Sequence, residues 1–408
     1  MNPPAQPAGG NLPAATRKRG WAWMLDLLLI VVLLAGGYLR FVGVNWDADQ
    51  HLHPDERFLT MVEDGIKPVQ NLAQYFDTAK SSLNPNNNPS FGFFVYGTFP
   101  IFIVRYVSQW LGQADYNHFN LVGRQLSALS DLLTVLLVYL IASRLYNRRV
   151  ALLAAAFSAL AVLPIQLSHY FTVDTFTNFF GFIAVYFAVR IMTAEKKPDK
   201  PELALPAVET TLDEESQGVK PVQPSVIDQR ITAFGQVARV ILVESLPYLA
   251  FGTALGMAAA SKINAIILAV LLPIALGVRY YRMPADERRQ QSGGMLRNLL
   301  IAALVSFVFF RIFQPYAFSG PGLLGLNPNP KWVANMTELA NQATGDVDFP
   351  PALQWARRPV WFSWLNLTQW GLGWPLGLLA WAGFLWMAWR IFKKKEWQTH
   401  LLLWTWTA

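Results

Sequence analysis

The residues best suited to chemistry lie in one acidic stretch, NWDADQHLHPDERFLTM, directly after the first long apolar run. Asp55 and Glu56 are adjacent in it, and a carboxylate in a partly dry pocket can take a proton from a hydroxyl group. The alternative is an acidic helix start on a solvated loop, because Pro54 suits a first helical turn and the helix dipole favours acids there. The density of acids at a membrane surface favours a general base.

Histidines in the same stretch extend the chemistry that it could support. His51 and His53 lie beside Asp55 and Glu56, and imidazole and carboxylate groups together can hold a divalent ion. A metal site built from these four residues is therefore an open alternative, with Mg²⁺ or Mn²⁺ as the candidate cofactor. The remaining acids of the stretch, Asp47 and Asp49, are interpreted as solvated neighbours.

Charged residues recur at the ends of apolar runs further along the chain. Asp174 closes the turn SHYFTVD, Lys262 lies between two runs, and Arg311 lies near the end of another. Ionisable groups at membrane depth are functional candidates by default, although snorkelling explains a lone basic residue equally well. Arg124 opens a run, and Asp131 follows on the same helix face, so this pair could bond internally.

The elements that must position these residues are membrane helices. The chain has 408 residues, of which 53% are hydrophobic and 14% charged, and it contains 16 Trp and no Cys. This composition predicts an all-α, polytopic transmembrane helix bundle and excludes disulfides and thiolate metal sites. Basic residues occur in short clusters between runs, which indicates topology signals and not a nucleic-acid surface. The predicted spans are 23–43, 125–145, 149–167, 175–193, 241–260, 263–281, 298–316 and 371–392.

The side of the membrane on which each loop lies depends on the aromatic segment 91–111. If this segment lies flat in the interface and the basic N-terminus is inside, most later basic clusters also fall inside, as the positive-inside rule requires. An ordinary span at 91–111 would reverse that and stays as the alternative. The flat arrangement places the acidic stretch, Asp174, Lys262 and the tryptophan-rich loop 317–370 together on the outer face.

These patterns divide the chain into four parts. The last apolar run, LLLWTWTA, stops in mid-span, so we expect a truncated C-terminus. The short basic loops and absent cysteines favour an integral multi-pass protein of a bacterial plasma membrane, with a cytoplasmic N-terminus. The predicted parts are a disordered cytoplasmic tail (1–22), a transmembrane module (23–193) with a catalytic first external loop (44–123), a flexible cytoplasmic linker (194–239) and further spans (240–408).

With these residues placed, the chain resembles the C-type (GT-C) membrane glycosyltransferases, such as protein O-mannosyltransferases and the aminoarabinose transferase of lipid A. The family carries an acidic pair after its first span, similar to Asp55-Glu56, and a surface helix similar to the segment 84–111. An arginine then opens the second span, like Arg124, and a further acid follows, like Asp174. The small-residue run GTALGMAAASK ends in Lys262 as in the family, but the lysine that often follows a double proline in the surface helix is absent.

The resemblance implies an inverting glycosyltransferase that uses a polyprenyl-phosphate sugar. Asp55 would be the general base on an acceptor hydroxyl of a protein, lipid or glycan, with Glu56 beside it. The residues that the resemblance implies for substrate binding are Arg311 at the donor phosphate, assisted by Arg124, Lys262, Arg357 or Arg358, and Asp174 and His53 around the acceptor and the base.

Other functions use the same polar outer face without this reaction. A transporter or flippase of lipid-linked sugars is the main alternative, although the sequence contains no evident inverted repeat. A metallohydrolase would hold zinc or manganese on the histidine and carboxylate set. A membrane scaffold would have no evident use for the acidic stretch. Loss of activity on chelation would favour the metal site, and sugar movement without bond cleavage would favour the transporter.

Overall fold

The computed structural model describes residues 22–194, 226–354 and 356–408, and it describes side chains outside Ala22 and 226–243. The predicted tail before Ala22 and the part of the predicted linker between 195 and 225 lie outside the described residues. The last part of that predicted linker is helical, because α9 begins at Val226.

Almost every described element is a helix. The α-helices are α1 (Ala22–Phe41), α2 (Pro54–Gly65), α3 (Leu72–Tyr75), α4 (Thr98–Trp110), α5 (Tyr116–Leu145), α6 (Arg148–Leu160), α7 (Val162–Ser168), α8 (Val173–Met192), α9 (Val226–Ser261), α10 (Leu271–Arg282), α11 (Ala285–Phe313), α12 (Pro330–Thr344), α13 (Pro350–Leu353), α14 (Val360–Asn366), α15 (Trp374–Phe392) and α16 (Trp397–Thr407). Short 3₁₀ segments cover Pro85–Asn87, Pro89–Phe91, Ile263–Val270 and Pro315–Ala317, and a π-helical turn covers Leu367–Leu372. The strands β1 (Phe318–Ser319) and β2 (Asn327–Pro328) pair antiparallel, with Phe318 opposite Pro328.

Several of these helices are long and apolar enough to cross a membrane. Among the described residues, 6 helices meet that standard: Trp23–Phe41, Tyr116–Leu145, Val173–Met192, Ile263–Arg282, Ala285–Phe313 and Trp374–Phe392. The predicted spans in these regions are confirmed as long apolar helices. The predicted span 149–167 is instead a pair, α6 and α7, bent by 56°. Pro164 accounts for the break, because proline has no N–H to donate to the Leu160 carbonyl and its ring would clash with that carbonyl in a continuous helix.

The aromatic segment 91–111 is too short in its helical part to cross a membrane. Its helix α4 has 13 residues, whereas a span needs about 20. One face, including Phe99, Ile101 and Val104, is buried, while Trp110 is 84% exposed. The helix therefore packs along the bundle formed by α5, α8 and α9 and is not a span, as the sequence predicted.

Close helix packing forms the interior of the bundle. Helix α8 packs between α5 and α9, and α9 packs along α11. Gly256 allows α9 to approach α11 closely, because a Cβ there would lie 2.5 Å from the Ser306 carbonyl oxygen. Small residues at helix contacts are typical of membrane bundles, where backbones must approach closely for dispersion forces to act.

A buried ion pair joins α1 to α5 inside the bundle. Arg40 Nε donates to Asp131 Oδ2 at 2.6 Å, and its Nη1 donates to the carbonyl oxygens of Gly36 and Ala159. The expected alternative that Asp131 pairs with Arg124 is therefore wrong, since the partner comes from the first helix. This contact fixes α1, and with it the start of the acidic stretch, against the helix that carries Arg124.

Candidate active site

The acidic pair opens helix α2, as the solvated-loop alternative also predicted. His53 is the N-cap residue, and its Nδ1 accepts the Glu56 backbone N–H at 3.3 Å. Pro54 is in the first turn, where a missing N–H leaves no hydrogen bond unmade. Adjacent positions of a helix point in different directions, so Asp55 is exposed whereas Glu56 is fully buried. The two acids therefore have different roles.

Glu56 belongs to a buried network centred on Arg124. The guanidinium donates to both Glu56 oxygens, at 2.7 Å to Oε1 and 2.6 Å to Oε2. It also donates to both Asp47 oxygens, at 3.0 Å and 2.9 Å, and to the Val44 carbonyl. All three charged side chains are 0% exposed. Such charge-assisted, two-pronged bonds are strong and directional, so this network holds the loop before α2 in one position.

The same network reaches the turn between α7 and α8. The Phe171 backbone N–H donates to Glu56 Oε1 at 2.8 Å, and the Trp46 indole N–H donates to the His169 carbonyl at 3.2 Å. The His53 ring stacks on Tyr170 with centroids 4.2 Å apart. The prediction that the acidic stretch and the turn containing Asp174 lie on the same side is confirmed by these contacts.

Above the buried network lies a more exposed group of polar side chains. Tyr96 lies near the carboxylates of Asp55 and Asp174. Burial is the main cause that raises the pKa of Tyr96, and these two nearby negative charges raise it further. Lys262 Nζ bonds to Asp174 Oδ1 at 2.7 Å, with side-chain exposures of 46% and 38%. Asp55, Asp174, Lys262 and Tyr96 thus form one accessible cluster, which we call the acidic centre.

Tyr96 is held in the acidic centre by the glycine that follows it. The Gly97 N–H donates to the Ser261 carbonyl at 3.1 Å, directly before Lys262. A Cβ at Gly97 would lie 2.1 Å from the Ala260 carbonyl oxygen, so only glycine fits this approach. Tyr96 was not among the residues predicted from the sequence, and its only signal was its place beside this glycine in the aromatic segment.

Several predicted site residues have different roles in the structure. Arg124 is fully buried and bound to carboxylates, so its guanidinium is not exposed to a substrate here, and substrate binding by Arg124 stays a prediction. Glu56 likewise has both oxygens occupied and is a positioning residue, not a group that reaches a substrate. Asp47, interpreted as solvated, is buried in the network. Burial alone would raise the pKa of Asp47, but the hydrogen bonds from Arg124 and the Leu52 backbone N–H, together with the Arg124 charge, outweigh it and lower that pKa.

The structure does not bring the predicted phosphate-binding arginines to the acidic centre. Arg311 is 2% exposed, and its guanidinium donates to the carbonyl oxygens of Pro315, Gly322 and Leu323, so it supports the loop after α11. Arg358 donates to the Gln354 carbonyl and stacks on Phe362. Arg357 is exposed in the same loop. Lys262 is the predicted cation that does lie at the acidic centre.

The predicted metal ligands do not converge either. Glu56 is occupied by Arg124, and His53 Nδ1 is occupied by the Glu56 N–H. His51 is buried against Tyr116, with ring centroids 4.4 Å apart. Within the described residues, no three His, Asp or Glu side chains are arranged to hold a metal ion. The four-residue metal set therefore does not fit, and the divalent cofactor stays a prediction without a site.

Glu63 is a buried acid at the C-terminal end of α2. Its carboxyl is fully buried, without a hydrogen-bond partner among the described residues, and burial raises the pKa of Glu63 well above its usual value despite nearby Arg105. The folded state therefore binds this proton more tightly than the unfolded state. Stability is lost as pH rises from the unfolded pKa, about 4.3, through the raised folded pKa.

We expect Glu63→Gln to raise the melting temperature at pH 8 and to change it little at pH 4. The neutral amide removes the need to hold a proton or bury a charge, and it has almost the same volume. Thermal unfolding of the purified protein across that pH range measures the effect, with Asp64→Asn, an exposed neighbour, as control. Equal shifts for Glu63→Gln at both pH values would contradict the assignment.

Comparisons with known proteins agree with the architecture. Residues 110–200 match the family model described as dolichyl-phosphate-mannose-protein mannosyltransferase, a segment that contains Arg124 and Asp174. No curated protein is significantly similar to the chain in sequence.

Solved structures of an archaeal oligosaccharyltransferase show the same fold at low sequence identity. An oligosaccharyltransferase from Archaeoglobus fulgidus, in complex with zinc and sulfate, is 16% identical with a TM-score of 0.52, over 93% of this chain and 45% of that chain. Its apo form is 15% identical with a TM-score of 0.51, over 96% and 47%. The S. cerevisiae protein O-mannosyltransferase complex bound to the sugar donor is 17% identical with a TM-score of 0.46, over 73% and 35%. The chain has the GT-C fold, and it spans less than half the length of these proteins.

Proposed function

We propose that the protein is an inverting glycosyltransferase that moves a sugar from a polyprenyl-phosphate donor to an acceptor hydroxyl at the outer membrane face. The observation that carries this proposal is the acidic centre: an exposed Asp55 beside Tyr96 and the Asp174–Lys262 pair, on a frame fixed by buried Arg124. The GT-C fold and the family match over 110–200 support a lipid-linked donor. The acceptor is a protein, lipid or glycan hydroxyl.

Asp55 is the general base in this reaction. The acceptor oxygen attacks the anomeric carbon from the face opposite the phosphate, and its proton passes to the Asp55 carboxylate. The bond between that carbon and the phosphate oxygen breaks, and polyprenyl phosphate leaves with the electron pair. The Tyr96 hydroxyl lies near the Asp55 carboxylate and can orient it, and Glu56 positions the helical turn that carries Asp55.

Lys262 is the candidate partner of the donor phosphate. Its ammonium lies on the accessible side of the acidic centre, and Asp174 holds it there at 2.7 Å. An ammonium group beside a leaving phosphate stabilises the charge that develops on it. Arg311, Arg357 and Arg358 are not needed for this role, and the donor would enter from the lipid between the helices that border the centre.

Lys262→Gln is expected to raise the KM for the lipid-linked sugar about tenfold, because a charge-assisted hydrogen bond to phosphate is lost. Its exposed ion pair contributes little to folding, so the melting temperature should change little. Steady-state kinetics with a polyprenyl-phosphate sugar in detergent measures the effect, and Lys331→Gln in helix α12 is the control. An unchanged KM would assign the phosphate to another cation.

The main alternative is a flippase that moves the lipid-linked sugar without chemistry. Proteoliposomes containing a labelled polyprenyl-phosphate mannose and a membrane extract as acceptor separate the two. Release of polyprenyl phosphate together with a product of inverted anomeric configuration supports transfer. Movement of intact donor between leaflets with no bond cleavage would replace the transferase with a transporter.

A further inference from the structure

A polar cavity lies at the opposite end of the bundle from the acidic centre. It has a volume of about 880 Å³ and is bordered by the last turns of α5, α8 and α10 and the first turns of α11. Arg124 and Arg144 both belong to α5, and the usual helical rise places them about 30 Å apart along its axis. This cavity is therefore separate from the acidic centre and has no part in the proposed reaction.

Arginines give the cavity its charge. Arg144, Arg279 and Arg282 line it, against one lining carboxylate, Glu287. Each arginine is tethered by one neutral contact: to Thr193 Oγ1 at 2.6 Å, to the Tyr248 hydroxyl at 3.2 Å and to Gln398 Oε1 at 3.2 Å, respectively. Within the part of the chain that the structure describes, none of the three forms an ion pair, so each has guanidinium N–H groups to spare.

One of these groups is buried without a partner. The Nε of Arg279 is shielded from solvent and has no hydrogen-bond acceptor among the described residues. An unmet buried donor on a charged group is costly, and the cost is relieved when an oxygen anion binds. Basic residues at this end of the helices are also expected as topology signals, but topology alone does not require them to converge on a concave site.

The rest of the lining indicates what kind of anion fits. Leu145, Met192, Ala194 and Met283 supply apolar surface beside the arginines. An amphiphile, with a charged head and hydrocarbon chains, satisfies both kinds of surface at once, whereas a free anion satisfies only the arginines. The planar guanidinium group matches the spacing of phosphate oxygens and forms paired hydrogen bonds with them.

We infer that this cavity binds a phosphate group, carried by an anionic membrane lipid whose chains lie against the apolar lining. The same chemistry is offered by free inorganic phosphate, and the experiment below separates the two. The inference goes beyond the proposed function and does not depend on it, because binding is measured without turnover.

The test uses the full chain in detergent with three probes: phosphatidylglycerol, phosphatidylcholine and inorganic phosphate. Phosphatidylglycerol is expected to raise the melting temperature and to remain bound in native mass spectrometry, while phosphatidylcholine, whose phosphate is neutralised by choline, does neither. Phosphate acting as strongly as phosphatidylglycerol would overturn the lipid as the source, and no effect from either anion would overturn the site.

Arginine variants test whether phosphatidylglycerol binds in this cavity. Arg144→Gln and Arg282→Gln are each expected to weaken the apparent affinity for phosphatidylglycerol about tenfold, as for loss of one charge-assisted bond. Both side chains are exposed, so the variants should fold. Arg289→Gln, an exposed arginine on α11 outside the lining, is the matched control. An equal loss in Arg289→Gln would show attraction to general surface charge and overturn the site.

Discussion

Asp55→Asn is expected to lower glycosyl transfer by about a hundredfold to ten-thousandfold while leaving the fold unchanged. The size follows from what a positioned general base contributes to proton transfer. Asparagine has the same shape but cannot accept the acceptor proton at neutral pH. Asp55 is exposed, and the Arg124 network does not include it, so its charge is not needed for packing. Turnover of a labelled polyprenyl-phosphate sugar, beside thermal unfolding of the same preparation, measures both halves of the prediction.

Asp49→Asn is the matched control for that experiment. Asp49 is an exposed acid in the same stretch, and its backbone has a φ of 63°. Asparagine tolerates that left-handed conformation about as well as aspartate does, so the control removes a nearby charge without strain. Transfer should stay within about twofold of the unsubstituted protein if the base contributes the expected factor. Equal losses in Asp49→Asn and Asp55→Asn would show a diffuse charge effect and would remove Asp55 as the base.

The architecture and the meeting of distant loops were predictable, because they follow from hydrophobic run length and charge placement. Runs of about 20 apolar residues must be helices in lipid. Whether the number of spans between two loops is even or odd then decides whether the loops lie on the same side. Asp55, Asp174 and Lys262 were placed together on that argument, and the structure confirms it. Pro164 also indicates the helix break at Ala161. The apolar run continues across this break, so run length alone predicted one continuous span.

Which acids of the acidic stretch are buried was not predictable, because it depends on local backbone geometry. Ala48, Asp49 and His51 all have positive φ, so the loop turns tightly between α1 and α2. That turn directs Asp47 inward, onto Arg124, and leaves Asp49 outside. Side-chain direction in such a loop has no fixed period, unlike a helix or strand, so the spacing of the acids carried no information about which was buried.

The roles of the arginines were likewise decided by partners remote in sequence. Arg124 and Arg311 were predicted to bind the donor phosphate, yet both are buried in internal bonds, as is Arg40. A buried guanidinium requires acceptors wherever it lies, and those acceptors come from residues far away in the chain. The sequence indicates that such residues are important but not whether they face a substrate or the protein interior.

Arg124→Gln is expected to destabilise the fold by about 3–5 kcal/mol, the usual cost of breaking a buried ion pair. Glu56 and Asp47 would be left as two buried carboxylates without their cation, and glutamine cannot supply five donors to replace it. Arg149→Gln, an exposed arginine at the start of α6, is the control and should change stability by less than about 0.5 kcal/mol. Denaturant unfolding in detergent measures both.

Two further measurements show whether the stability lost in Arg124→Gln comes from unpaired buried charge or from lost packing. If unpaired charge is the cause, adding Asp47→Asn and Glu56→Gln to Arg124→Gln should recover part of the stability, because three neutral amides and no buried charge remain. The single variant should also regain stability as pH falls, since protonation of the two carboxylates removes the same charge. A triple variant less stable than Arg124→Gln, with no gain at low pH, would show that the network acts through shape and hydrogen bonds alone. Transfer activity should stay low in the triple variant even where stability returns, because the turn that aims Asp55 is held by this guanidinium.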